Sequence, residues 1–149
     1  MRGRLLAVLF LTAALSGCSL PGRGTACTQM GMDSAVGVRW LPADFGGADA
    51  AVVRVCVRER CAQRASGSPD DPFASLSVRL PDDVGDTTVP VRLTVTAAKD
   101  GRVVVTDQVS ARLTEQHPNG PACPPTAWTA GYRAHPERGL VPAAGTSLR

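Results

Sequence analysis

The 149-residue chain carries 16 Lys+Arg, 13 Asp+Glu, two His and five Cys, and 44% of its residues are apolar. That is the size of one domain with enough apolar surface for a core, which excludes a large multidomain enzyme and a low-complexity linker. Its one long apolar run is too short to stay across a bilayer, which excludes a polytopic membrane protein.

Chain order begins with Arg2 and Arg4, a short positive region. Leu5 to Leu15 follows without a polar residue other than Thr12, and Ser16 and Gly17 precede Cys18. Charge, a short apolar core and small residues at a cleavage point predict a secretory signal peptide over residues 1–17. The segment Leu15-Ser16-Gly17-Cys18 resembles the lipobox of bacterial lipoproteins. The resemblance implies a lipid on the Cys18 sulfur, cleavage before Cys18, and an acylated new amino terminus. It further implies anchoring to the extracytoplasmic face of the cell membrane, because two or three acyl chains hold firmly where one does not.

Cleavage there leaves residues 18–149 with a net charge of +1, from 14 Lys+Arg against 13 Asp+Glu. The signs are interspersed, so no basic stripe points to nucleic acid. Residues 18–26 are small, polar and broken by Pro and Gly, and read as a lipidated tether. Its reach from Ser19 to Ala26 is at most about 25 Å, which keeps the domain near the membrane.

Residues 27–143 read as the folded domain. Val36, Val38 and Trp40 alternate with Gly37 and Arg39, which predicts a strand with Trp40 in the core. Val53, Val55 and Val57 alternate with Arg54, Cys56 and Arg58. Leu76, Val78 and Leu80 repeat the pattern, and Val89, Val91, Leu93 and Val95 give its strongest instance. Pro90 lacks a backbone donor and belongs near that strand's start or on an edge. Asp100-Gly101 predicts a hairpin with a type I′ turn. The returning strand runs from Val103 to Asp107 and on through Val109, Ala111 and Leu113. Pro118-Asn119-Gly120-Pro121 breaks the pattern. Trp128 to Ala134 and then Leu140-Val141 are the last strands, before a flexible tail at 144–149. No helical stripe appears, and Pro42 to Gly47, Gly67 to Pro72 and Pro81 to Asp86 have turn chemistry. These observations predict an all-β, immunoglobulin-like antiparallel β-sandwich, with a small open β-barrel as the alternative.

Without Cys18, four cysteines remain, an even number in an exported chain. They allow three connectivities, and sequence alone does not choose. The preferred pairing is Cys27–Cys123, at the beginnings of the first and last strand regions, with Cys56–Cys61. The second bridge requires the chain to reverse through Val57-Arg58-Glu59-Arg60, which has no Gly, Pro or Asn to favour a turn. Zinc is the rival, but Cys-x4-Cys is a loose spacing and no second close pair exists. The whole plan, a lipobox followed by a small two-disulfide β-domain with the segment PNGPxC, resembles small uncharacterised lipoproteins of high-GC Gram-positive bacteria. That resemblance implies no particular activity.

Chemistry is sparse. His117 and His135 both precede Pro, no nucleophile elbow is present, and no motif demands a cofactor. Asp82, Asp83 and Asp86 could offer carboxylates to a hard cation, although the loop of a calcium-binding EF-hand is absent. Trp128 and Tyr132 share a strand side and would form a ligand patch if that side faced solvent. Arg54 and Arg58, with Arg60, Arg39, Arg79 and Arg92, are candidates for one basic face toward anionic polymers or headgroups. The expected function is non-enzymatic: a binding or protein-interaction module of the cell envelope, with an unknown protein or polymer partner. The alternative is an inhibitor of an envelope enzyme, or an enzyme with an unrecognised site. A loop at Pro42 to Asp49 or His117 to Pro125 would serve the inhibitor.

Overall fold

Alternation of apolar and polar side chains sets the architecture, because each strand then has one face that must leave water. The computed structural model describes residues 26–143; the leader, Cys18, most of the tether and the tail at 144–149 lie outside them. The strands are β1 (Ala35–Trp40), β2 (Ala51–Val57), β3 (Arg60–Ala65), β4 (Ala74–Arg79), β5 (Thr88–Ala97), β6 (Val103–Arg112), β7 (Thr114–Gln116), β8 (Ala127–His135) and β9 (Gly139–Pro142). One sheet has the order β4-β1-β8-β7, with β9 also on β8, and the other β3-β2-β5-β6.

The two sheets pack face to face as an all-β sandwich, consistent with an immunoglobulin-like arrangement, and do not close into a barrel. Val53, Val55, Val57, Val89, Val91, Leu93 and Val95 from one sheet meet Val36, Val38, Trp40 and Val78 from the other. Trp40 is buried as expected, and its indole N–H donates to the Ser66 carbonyl at 2.8 Å. Leu113 is the buried corner where the chain leaves β6 and enters the opposite sheet as β7.

Four local expectations need correction. The β1–β8 pairing is parallel, from Ala35 opposite Thr129 to Arg39 opposite Arg133, whereas the other pairings among the described residues are antiparallel. The β5–β6 hairpin forms, but not through a type I′ turn, which needs positive φ at both central residues. Gly101 has φ +71° and Asp100 does not share the sign; the Gly101 N–H reaches back to the Ala97 carbonyl at 3.0 Å, closing a wider loop. The Pro42 to Gly47 segment, expected as a turn without helix, winds into a single turn of 3₁₀ helix over Pro42–Phe45 that ends at Gly46. Finally, β3 and β7 are strands that alternation did not reveal.

Strand direction divides the connections between two poles. Residues 26–34, the Arg58-Glu59 turn, and the segments 80–87 and 117–126 lie at the pole where the chain enters the domain. Residues 41–50, 66–73, 98–102 and 136–138 lie at the opposite, distal pole.

Candidate functional site

Both disulfides have the expected pairing. Cys27–Cys123 closes a sequence separation of 96 residues, with the Cα atoms 5.6 Å apart. In the chain-entropy model such a crosslink stabilises the fold by about 4–5 kcal/mol. Cys56 and Cys61 are directly opposite across β2 and β3, with Cα atoms 4.0 Å apart. The two-residue turn between the strands is Arg58-Glu59. Arg58 takes φ +53°, so the reversal that lacks a glycine places an arginine in the left-handed region.

The entry pole is tied together by Asn119, a residue that the sequence marked only as a turn former. Its amide oxygen accepts from Thr28 Oγ1 at 2.6 Å and from the Met30 N–H at 2.9 Å. Its amide nitrogen donates to the carbonyls of Met30 at 3.0 Å and Pro124 at 2.6 Å. Buried and satisfied on both ends, this one side chain holds the incoming segment beside the Cys27–Cys123 bridge.

The structure separates the arginines expected on one basic face. Arg54 and Arg92 point outward from the sheet β3-β2-β5-β6, whereas Arg39 and Arg79 point outward from the other sheet, on the far side of the sandwich. Arg58 is at the hairpin turn, Arg79 pairs with Asp33 at 2.7 Å, and Arg92 donates to Gln108. Parity along a strand fixes the side of its own sheet, not which sheet it joins. Trp128 and Tyr132 do share one side of β8, but that side faces the core: Tyr132 is buried and Trp128 packs partly buried against the same cluster. They are core residues, not a solvent-facing ligand patch. Burial pushes the Tyr132 phenol above its ordinary 10.0.

The remaining titratable candidates do not converge. Asp86 is engaged by Arg112 Nη2 at 2.7 Å, and among the described residues no group of three His, Cys, Asp or Glu side chains could hold a metal ion. His117 lies at the entry pole, 3.5 Å from Glu115, while His135 lies at the distal end of β8, where its Nδ1 accepts from the Glu137 N–H at 3.2 Å.

The distal pole is built differently. Its loops are bonded to one another: the Asp49 N–H donates to the Gly67 carbonyl at 2.9 Å, and the Gly67 N–H returns to Asp49 Oδ1 at 2.9 Å. The Ala98 N–H reaches the Ala50 carbonyl at 2.8 Å, and Ser66 Oγ accepts from the Ala51 N–H at 3.2 Å. Ala48 and Asp49 are held at φ +42° and +56°, conformations that non-glycine residues adopt only when their surroundings impose them. Large apolar side chains nonetheless stand in solvent here: Phe73 is 59% exposed, Val103 52%, Val104 43% and Leu41 38%. Two concavities adjoin them. One, of about 230 Å³, lies among Arg39, Trp40, Leu41, Phe73 and Arg133. The other, of about 250 Å³, is lined by residues that include Phe45, Ala50, Val104 and Pro136.

Comparison with known proteins returns no match to a family model, a curated protein or a solved structure.

Proposed function

We propose that this chain is a lipid-anchored, extracytoplasmic binding module of the bacterial cell envelope, held through Cys18 and engaging a partner with its distal pole. The observation that carries the reading is the group of exposed apolar side chains, Leu41, Phe73, Val103 and Val104, set beside bonded, partly strained loops at the pole opposite the incoming chain, where the entry pole has only Met30 and Met32 so exposed among the described residues. Loops fixed in advance lose little freedom on binding, and apolar groups already in solvent gain from being covered. Neither feature needs catalytic groups, and the histidines are at opposite ends of the sandwich. A tether of eight residues after Cys18 would leave the entry pole toward the bilayer and the distal pole outward.

The same loops favour a second form of this reading. The segment Pro42–Asp49 is ordered by its own 3₁₀ turn and by Asp49, as a loop inserted into the cleft of an envelope enzyme would be. Inhibition is therefore the alternative role for the same pole.

The test has two arms. Labelled palmitate should enter the wild-type protein in cells and fail to enter Cys18→Ala, which should also leave the membrane fraction. Replacing Leu41 and Phe73 by Ser should abolish partner capture without releasing the protein from the membrane. Labelling of Cys18→Ala would overturn the anchor, and unchanged capture by the Leu41/Phe73 variant would overturn the binding pole.

A further inference from the structure

Within that reading, the concavity beside Phe73 has a chemistry of its own. The parallel register of β1 and β8 makes Arg39 and Arg133 direct neighbours on the outer face of their sheet, on strands about 4.8 Å apart. Two like charges in adjacent cross-strand positions repel, and a fold gains nothing from them unless an anion joins them. Among the described residues one carboxylate pairs with them: Asp44 Oδ2 is 3.4 Å from Arg133 Nη2, a long contact. The Arg39 side chain has no hydrogen bond or ion pair among the described residues, and Arg133 Nε is buried without an acceptor. Arg64 also brings its guanidinium to this edge, donating to the carbonyl of Ser75 opposite Arg39 at 2.8 Å, so positive charge exceeds the one carboxylate and favours an anion. The remaining lining residues are Leu41, Phe73 and Trp40, of which Leu41 and Phe73 offer exposed apolar side chains.

We propose that this concavity binds a monocarboxylate bearing an apolar group, with the carboxylate between Arg39 and Arg133 and the apolar group against Leu41 and Phe73. A free amphiphilic acid and the C-terminal residue of a partner chain present the same chemistry. The planar guanidinium fork suits a carboxylate, and a volume of about 230 Å³ admits one amino-acid-sized group. The inference rests on the distal pole being a binding end, but it concerns this pocket alone.

The test follows backbone amide shifts of the isotope-labelled full chain during titration with N-acetylphenylalanine. N-acetylphenylalanine amide and inorganic phosphate serve as controls, and a short peptide ending in Phe provides the second source. The expected result is a saturable, millimolar shift at residues 39, 41, 73 and 133 with the acid, and none with the amide or phosphate. Arg39→Gln should weaken binding by at least about tenfold while its thermal midpoint stays at the wild-type value, since the side chain is exposed and unpaired. If the peptide binds more tightly than the free acid, the source is a chain end; if equally, a free acid suffices. Equal binding of acid and amide, displacement by phosphate, or no shift at these residues would overturn the proposal. Loss of partner capture in the Leu41/Phe73 variant, in the absence of such shifts in the wild-type chain, would leave the binding pole standing and remove only this pocket.

Discussion

Gly139 opens the turn into β9 at φ +66°, and a methyl group added there would collide with the carboxylate of Asp107 on β6. That carboxylate accepts the Leu140 N–H at 2.7 Å, joining the edges of the two sheets. Gly139→Ala must therefore place a non-glycine residue in the left-handed region, at about 1 kcal/mol, and displace a charge-assisted hydrogen bond worth about 2 kcal/mol. The expected loss is about 3 kcal/mol, a large part of the roughly 5–15 kcal/mol that holds a domain folded. Urea unfolding of the full chain, followed by tryptophan fluorescence, should show a midpoint lowered by roughly 1.5–2 M with an unchanged slope. Asp107→Ala alone should cost about 2 kcal/mol, because it loses the same bond without the left-handed strain. The double variant should cost no more than Gly139→Ala, since the bond is lost only once and the collision disappears. A Gly139→Ala stability within about 0.5 kcal/mol of wild type, or strict additivity of the pair, would refute this account of how the sheets are joined.

Other parts of the fold give further expectations. Asn119→Ala should lower stability by about 2–4 kcal/mol in the same assay, and Asn119→Asp should also destabilise, because a carboxylate would face the carbonyls of Met30 and Pro124. Arg58→Gly should raise stability by up to about 1 kcal/mol, because glycine adopts the φ of +53° without penalty, while Arg58→Val should lower it. Cys27→Ser with Cys123→Ser should cost about 2–5 kcal/mol, read as a lower thermal midpoint. Tyr132 gives a pH dependence. Its folded pKa is raised by burial, so above pH 10.0 the unfolded chain loses the phenolic proton before the folded one does. Stability should be unaffected by this group below pH 10.0 and fall as the pH rises beyond it, and Tyr132→Phe should remove that slope. Tyr132 is the sole tyrosine, so tyrosinate absorbance reports its titration directly.

How far the molecule was legible depended on whether a signal was local. Val89 to Val95 alternate because one face of β5 is covered, and that pattern survives in the sequence intact. β3, by contrast, is an edge strand whose residues Arg60–Ala65 are exposed or half-buried, so nothing required apolar alternation. The turn before it has no glycine; Arg58 takes the left-handed position and the Cys56–Cys61 bridge spans the strands on either side. Parity placed Trp128 and Tyr132 together correctly but could not say whether their side met the core or water. The same limit hid the scattering of the arginines, because Arg39 and Arg54 belong to different sheets. The pairing of Arg39 with Arg133 depends on a parallel contact between the first strand and the eighth. No turn or spacing announces such a contact, and the pocket beside Phe73 became visible only with the fold.

The central claim is that the distal pole is the binding end of a membrane-anchored domain. Its most direct test is photo-crosslinking in living cells from single probe positions, Phe73 at the distal pole and Met32 at the entry pole, each with and without Cys18→Ala. The account predicts one dominant protein captured from Phe73 and not from Met32, with capture lost when the anchor is removed. Capture from Met32 alone, or from both positions equally, would contradict it.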